Sequence, residues 1–368
     1  MIRYIDEVYN SSFRGKTCIV RIDLNETEGN EQNSFRLQQV LPTLRFLLEH
    51  DMRVVIMSHR GRFSEDSPSL KPFSSILSQE LGVSVAFASH AQFSDRGDKK
   101  VVLLDNLRLH REEQENDVHF SKQLASFGDF YVNDAFSVSH RAHASIVGIT
   151  KYIPSYGGLL LRDELQHITE VTKKPRHPFV VLIGGAKISD KLGVIEHLWE
   201  MVDWFLLGGG PANTVHVARG GEVGSSLIDE EALDAVQPFI DAEKLIAPDD
   251  FEIEDGAYRD IGKQTIVRYQ EVLRTAKTIV WSGPMGMFEK DRFAGGTRAM
   301  WESILENKEA RTVVGGGETL ASINLVTDYQ SLAAMNKNVF LSTGGGAMLK
   351  LLAGETLPGL DALHYNKL

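Results

Sequence analysis

The segment Phe179-Val-Val-Leu-Ile-Gly-Gly-Ala-Lys-Ile-Ser-Asp-Lys191 leaves the chain few choices of fold. Five consecutive apolar residues read as a buried strand, Gly184 and Gly185 turn it, and Ile188, Leu192, Ile195 and Leu198 recur at helical spacing. Lys187 and Lys191 are four apart, which predicts one face of a first helical turn, beside backbone N–H groups without an intrahelical partner. That arrangement suits an anion, although two solvated lysines at a helix start would look the same. It is not the Walker P-loop, which requires GxxxxGK[ST].

Apolar runs ending in glycine recur at Trp204–Gly210, Thr278–Gly286, Thr312–Gly317 and Val339–Gly346. Such runs predict an open parallel sheet, in which ligands bind at the carboxyl ends of the strands and glycine lets backbone approach phosphate. The repeated ends therefore predict a polyphosphate bed. The plainer alternative is that these glycines only make tight strand-to-helix turns.

The first half has the same rhythm with different endings. Thr17–Asn25 reads as a strand with Arg21, Asp23 and Asn25 on one side of its tip. A helical pattern over Phe35–Glu49, interrupted by Pro42, carries Arg36 near its start. Arg53–Arg62 exits with His59, Arg60 and Arg62, and Val101–Arg108 exits with Arg108. Phe130–Phe136 leads to His140-Arg-Ala-His143. Each basic residue alone reads as a surface charge; their common position at strand exits predicts convergence on one multiply charged small ligand. Ile153–Gly158 reads as a turn-rich break before a linking helix over Leu159–Val171, and the domain boundary is expected at Lys173-Lys-Pro-Arg-His-Pro178.

A length of 368 residues with 42% hydrophobic content accommodates two ordinary cores. A formal charge of -11 argues against a nucleic-acid surface, so basic clusters are expected to be local pockets for small anions. Cys18, the only cysteine, supplies neither an internal disulfide nor a cysteine metal cluster. The first residues lack the apolar core of a signal peptide and no later run is long enough to span a bilayer, so a soluble intracellular protein is expected.

Val20-Arg-Ile-Asp-Leu-Asn25, Ser58-His-Arg-Gly-Arg62, Asn133-Asp-Ala-Phe136, His140-Arg-Ala-His-Ala-Ser145, Gly184–Lys191, Gly283-Pro-Met-Gly286, Ser342–Ala347 and Leu357-Pro-Gly359 follow one another in order. In this series the chain resembles the phosphoglycerate kinase family over nearly its whole length. The resemblance implies an α/β fold of two Rossmann-like lobes, each a parallel sheet flanked by helices, joined by a hinge with a central cleft. It implies a phosphoglycerate-binding lobe over 1–155, a linking helix and hinge over 156–178 and a nucleotide-binding lobe over 179–346. A tail over 347–368 would return to the first lobe.

The implied activity is reversible phosphoryl transfer between 1,3-bisphosphoglycerate and ADP, giving 3-phosphoglycerate and ATP, with Mg. Carried over by position, Asp23, Leu24, Asn25, Arg36, His59, Arg60, Gly61, Arg62, Arg108 and Arg141 would bind phosphoglycerate. Gly185, Ala186, Lys187, Lys191, Gly209, Pro284, Glu289, Gly316, Gly317, Glu318 and Thr319 would bind nucleotide, Glu289 through the ribose and Glu318 through the metal. Arg36, Lys187, Lys191, Gly317 and Gly345 would act on the phosphoryl group in flight. The reacting oxygens are anionic, so the chemistry calls for alignment and charge neutralisation rather than a strong base. A cytoplasmic monomer with small-molecule substrates, and no membrane or nucleic-acid partner, is expected.

The chain also departs from the family pattern. Glu26-Thr27 replaces a small apolar residue and proline, Ser282 replaces an asparagine, and Glu318 replaces an aspartate. Pro211 and Asn213 stand where methionine and an aromatic are common, and Ala257-Tyr-Arg259 replaces the Met-Gly-Leu flanking the adenine. Three readings remain: an active kinase with an altered nucleotide pocket, a weakened relative serving as a phosphoglycerate sensor or scaffold, and a kinase of another small phosphorylated carboxylic acid.

Overall fold

A computed structural model describes residues 1–26, 34–63, 67–89 and 99–364. The chain divides into two compact units, Met1–Leu165 with Thr356–Leu368, and Gln166–Glu355. The division falls inside one continuous helix, Leu159–Lys173.

The first unit is built on β1 (Thr17–Arg21), β2 (Arg53–Met57), β3 (Val85–Ala88), β4 (Val101–Leu104), β5 (Phe130–Asn133) and β6 (Ser155–Gly157). They form one six-stranded sheet in the order β3-β4-β2-β1-β5-β6, with every pairing parallel. All of β1 is buried, as expected for a strand covered on both faces. The segment read as a turn-rich break contains β6, which pairs with β5 through Tyr131–Ser155 and Asn133–Gly157. Its glycines hid a strand; a Cβ on Gly157 would stand 2.7 Å from the Tyr4 ring, so glycine is needed there for close approach.

Between β1 and β2 runs the helix Phe35–Glu49. The Ser34 hydroxyl accepts from the Leu37 N–H at 3.0 Å and caps it. Leu37, Val40, Leu41, Leu44 and Leu47 form its buried stripe, while Pro42 faces solvent and the helix runs through it. The short helix Pro358–His364 belongs to this unit, and the Gly359 N–H donates to the Ser139 carbonyl at 2.9 Å.

The second unit repeats the plan with β7 (Phe179–Ile183), β8 (Trp204–Leu207), β9 (Leu245–Ile246), β12 (Thr278–Ser282), β13 (Arg311–Gly315) and β14 (Val339–Ser342). Its parallel sheet has the order β14-β13-β12-β7-β8-β9. Between β9 and β12 lies an antiparallel hairpin of β10 (Phe251–Glu254) and β11 (Ala257–Ile261). Its turn residues Asp255 and Gly256 both have positive φ, the backbone that an Asp-Gly pair supplies.

Strand order explains where chemistry collects. In the first sheet the chain leaves β1 toward β2 and later returns on the other side as β5; in the second it leaves β7 toward β8 and returns as β12. A crevice opens at the carboxyl ends of the strands at such a reversal.

Candidate functional site

At the reversal in the first sheet, β1 ends at Arg21, so Asp23 and Asn25 sit on the exit loop rather than on the strand. Arg21 points inward and is fully buried. Its Nε donates to the Ser145 hydroxyl at 3.0 Å, Nη1 donates to the Ile22 carbonyl, and Nη2 stands 3.2 Å from His59 Nδ1. Asp23 is held from several sides: Asn25 N–H donates to Oδ1 at 2.9 Å, the Ser137 hydroxyl donates to Oδ2, and Arg36 Nε lies 3.5 Å from Oδ2. Burial alone would raise the Asp23 carboxyl, but Arg36, His59 and these hydrogen bonds outweigh it and bring it to about 2. Asp23 is therefore a fixed anion that anchors Arg36, whose Nη1 also donates to the Asn25 carbonyl.

The exit of β2 is tied to the same loop. The Ser58 hydroxyl accepts from the Leu24 N–H at 2.8 Å, and Gly61 N–H donates to Asn25 Oδ1 at 2.7 Å. Burial, and the positive field of Arg21, Arg108 and Arg141, hold the His59 imidazole well below its ordinary range against the pull of Asp23. A neutral His59 whose Nδ1 accepts from Arg21 carries its proton on Nε2. Arg60 is turned inward, its Nε donating to the Glu26 carbonyl at 2.8 Å and its guanidinium lying over Phe73, whereas Gly61 and Arg62 are exposed. Thr27, singled out as a departure, lies outside the described residues.

Arg108 follows β4 on a short 3₁₀ turn, Leu107–Leu109, and is buried. Nη1 meets His143 Nδ1 at 3.3 Å, while Nε and Nη2 are buried with no hydrogen-bond partner among the described residues. Burial, then the neighbouring Arg21, lower this guanidinium to about 10, and His143 is lowered to about 3 by burial and by Arg108. Unpaired guanidinium donors are costly to bury, so this pair is built for an acceptor. Arg141 is exposed, with Nε 3.2 Å from His140 Nε2. Sequence reasoning passed over Ser145, whose hydroxyl accepts from Arg21, Glu113, which accepts from Ser145, and Ser137, which donates to Asp23. Glu113, inside the acidic run Arg-Glu-Glu-Gln-Glu-Asn, is fully buried.

In the second unit the expected helical turn bearing both lysines is not what forms. Lys187 precedes the helix and is exposed; Ser189–Lys191 is a 3₁₀ turn, and the α-helix begins at Leu192. Lys191 is buried, its ammonium lowered by burial, and Nζ donates to the Lys187 carbonyl at 3.2 Å. The N–H of Ser189, expected to face an anion, donates instead to Asp229 Oδ2 at 2.9 Å. The N–H of Ser189 is thus occupied by the protein's own carboxylate.

The glycines fall into two sets, one packed between strand exits and one bordering open space. Gly210 N–H donates to the Gly185 carbonyl, Gly185 N–H to the Pro284 carbonyl and Gly209 N–H to the Met285 carbonyl, each at 2.8 Å. A Cβ on Gly210 would stand 1.9 Å from the Ala186 carbonyl oxygen, and one on Gly184 2.1 Å from that of Pro284. These residues are glycine because adjacent strand exits pack backbone to backbone. At Gly317 and Gly345 a Cβ would meet nothing within 4 Å, so these glycines border open space. Gly317 begins the helix Gly317–Ala321 behind Gly316, and Gly345 precedes Gly346–Leu352. Thr319 is buried, and its hydroxyl accepts from Gly283 N–H at 2.7 Å. Ala186 and Glu289 are exposed.

A Cβ on Gly185 would lie 3.7 Å from Lys191 Nζ and 3.9 Å from Glu318 Oε2, so one point beside the β7 exit is flanked by an ammonium and a carboxylate. Among the described residues no group of three or more His, Cys, Asp or Glu side chains is arranged to hold a metal. A single carboxylate beside an ammonium and a glycine-rich loop fits Mg²⁺ of the kind that keeps several waters and shares phosphate oxygens.

A cationic pocket at the reversal of one parallel sheet, and a lysine and glycine bed at that of another, define an α/β phosphate-handling enzyme. The sequence model described as "Phosphoglycerate kinase" matches residues 8–355. The phosphoglycerate kinase of Dictyoglomus turgidum is 37% identical, covering 97% of this chain and 98% of that one. The cytosolic phosphoglycerate kinase of Nicotiana tabacum is 37% identical, covering 98% of each. Among solved structures, the phosphoglycerate kinase of Coxiella burnetii superimposes with a TM-score of 0.83 at 32% identity over 99% of both chains. That of Pyrococcus horikoshii gives 0.84 at 30% identity, over 99% of this chain and 98% of that one. The chain belongs to the phosphoglycerate kinase family, transferases whose phosphoryl acceptor is a carboxyl group. No helix among the described residues is long and apolar enough to cross a membrane.

Proposed function

We propose that the protein catalyses reversible phosphoryl transfer between 1,3-bisphosphoglycerate and ADP, giving 3-phosphoglycerate and ATP, with the acid phosphate held on the first unit and the nucleotide on the second. The observation that carries this reading is Arg108, whose Nε and Nη2 are buried without partners among the described residues, beside Arg21 and His143. Arg36, Arg62, Arg108 and Arg141 supply the charge for a phosphorylated carboxylate, and Asp23, Leu24, Asn25, Arg60 and Gly61 shape the loops that hold them. His59 offers Nε2–H to the same ligand. On the second unit Lys187, Lys191 and the backbone of Ala186, Gly316 and Gly317 take the nucleotide phosphates, with Glu289 on the ribose. Gly185, Gly209, Pro284 and Thr319 fix the loops beneath.

Transfer asks the protein for alignment and for positive charge on the moving oxygens. Arg36, Lys187 and Lys191 provide the charge, and the N–H groups that follow Gly317 and Gly345 add oriented dipoles. Glu318 would hold Mg²⁺ together with the nucleotide phosphates, and that ion supplies charge neutralisation. The reading makes the protein a cytoplasmic monomer; the tobacco relative is named cytosolic and an Arabidopsis relative chloroplastic. A coupled assay of the purified protein with 3-phosphoglycerate, Mg²⁺ and either ATP or GTP tests it. Turnover with ATP is expected, and no 3-phosphoglycerate-dependent consumption of either nucleotide would refute it.

A further inference from the structure

Behind the cations of the first unit stands a carboxylate to which the reading above gives no role. Glu113 is fully buried on the short helix Arg111–Gln114. Its Oε2 accepts from the Ser145 N–H at 2.8 Å and its Oε1 from the Ser145 hydroxyl at 2.6 Å. Because that hydroxyl gives its proton to Glu113, its lone pairs face Arg21, whose Nε donates to it at 3.0 Å. Arg21 in turn reaches His59 Nδ1 at 3.2 Å. On its other side Glu113 Oε1 lies 3.9 Å from His143 Nδ1, the atom that Arg108 Nη1 meets at 3.3 Å. Ser145 sits in a π-helical turn, Ala144–Gly148, whose carbonyl at Ser145 also accepts from the Tyr131 hydroxyl at 2.7 Å. The serine therefore has little freedom to seek another partner.

We propose that Glu113 is a positioning residue for the phosphoryl-acceptor site: through Ser145 it sets the donor direction of Arg21, and beside His143 it balances the charge of Arg108, so that the unpaired edge of Arg108 stays aimed at a phosphorylated carboxylate. The inference rests on the proposed function. Glutamine at position 113 keeps the shape but replaces one acceptor by a donor. The Ser145 hydroxyl then turns its proton elsewhere, and its lone pairs are no longer held in a fixed direction toward Arg21.

The test is a double-mutant cycle of Glu113→Gln and Ser145→Ala, with KM for 3-phosphoglycerate, KM for nucleotide and kcat measured separately, and thermal unfolding followed beside them. Each single variant is expected to raise KM for 3-phosphoglycerate by about tenfold, as for loss of a hydrogen bond to a charged group, with nucleotide KM unchanged. The double variant is expected to be no worse than the poorer single one, since both break the same relay. Unchanged KM for 3-phosphoglycerate in both folded variants, or losses that multiply, would overturn the relay. Glu113→Asp, which keeps the charge, is assayed beside them and is expected to retain part of the affinity lost in Glu113→Gln; equal loss with Asp and Gln would also overturn the relay. Where Glu113→Gln does not fold, Ser145→Ala and Glu113→Asp carry the test, and unchanged KM for 3-phosphoglycerate in both would overturn it. A wild-type protein that binds no 3-phosphoglycerate by calorimetry would instead refute the proposed function, and this inference with it.

Discussion

Arg36 Nε stands 3.5 Å from Asp23 Oδ2, and the same carboxylate is held by Ser137 and Asn25. Because the Asp23 pKa is depressed to about 2, its stabilising contribution is present above its unfolded value near 4 and is lost as pH falls toward 2. By linkage that contribution is about 2 kcal/mol. Urea unfolding of wild type and Asp23→Asn between pH 7 and pH 2 is expected to show a shallower acid limb in the variant.

Asp134 gives the opposite sign. It is buried after β5, with Oδ1 accepting from the Leu161 N–H at 3.1 Å, and burial raises its carboxyl to about 7. Its contribution is complete below the unfolded value near 4 and is lost as pH rises through 7, a change on the order of a few kcal/mol. Asp134→Asn keeps the acceptor and cannot ionise. Its stability relative to wild type is therefore expected to improve from about pH 4 to pH 7 and to level off above pH 8 in denaturant titrations.

Gly210 and Gly317 should respond differently to alanine. Gly210→Ala drives a methyl into the Ala186 carbonyl and is expected to cost at least ~2 kcal/mol of stability. Gly317→Ala meets nothing and should leave the melting temperature near that of wild type while reducing turnover, because the methyl enters the space assigned to nucleotide phosphate. Calorimetric melting beside the coupled assay separates the two.

Lys187 and Arg62 are both exposed, so neither substitution to alanine should disturb folding. Lys187→Ala is expected to lower kcat by about 10²-fold with 3-phosphoglycerate affinity unchanged. Arg62→Ala is expected to weaken that affinity by about tenfold. Isothermal titration with 3-phosphoglycerate distinguishes them, and equal loss of affinity in both would contradict the assignment.

Glu318→Asp shortens the carboxylate at the start of the helix Gly317–Ala321 by one methylene. It is expected to lower the Mg²⁺ concentration giving half-maximal turnover, since Mg²⁺ demands near-octahedral placement of its ligands. A magnesium titration of the coupled assay reads this directly.

Much of this was legible before the structure because a parallel sheet puts every strand exit on one edge, so runs such as Phe179–Ile183 and Arg53–Met57 locate Lys187 and His59 by themselves. What sequence could not reveal depends on partners distant in the chain. Asp229, 40 residues beyond Ser189, decides that the helix start is already capped. Gly210 and Gly317 look alike until the loops around them are packed. Glu113 lies 32 residues from Ser145, and nothing in its acidic neighbourhood marks it as buried. The β10–β11 hairpin was announced by Asp255-Gly256, a turn signal that was simply passed over.

Since Asp229 occupies the amide of Ser189, stray sulfate or inorganic phosphate finds no vacancy at that helix end. On the proposed reading, the nucleotide phosphates are left to the lysine side chains and the glycine-loop amides, which a chelated triphosphate would engage through several oxygens at once and a lone oxyanion through few.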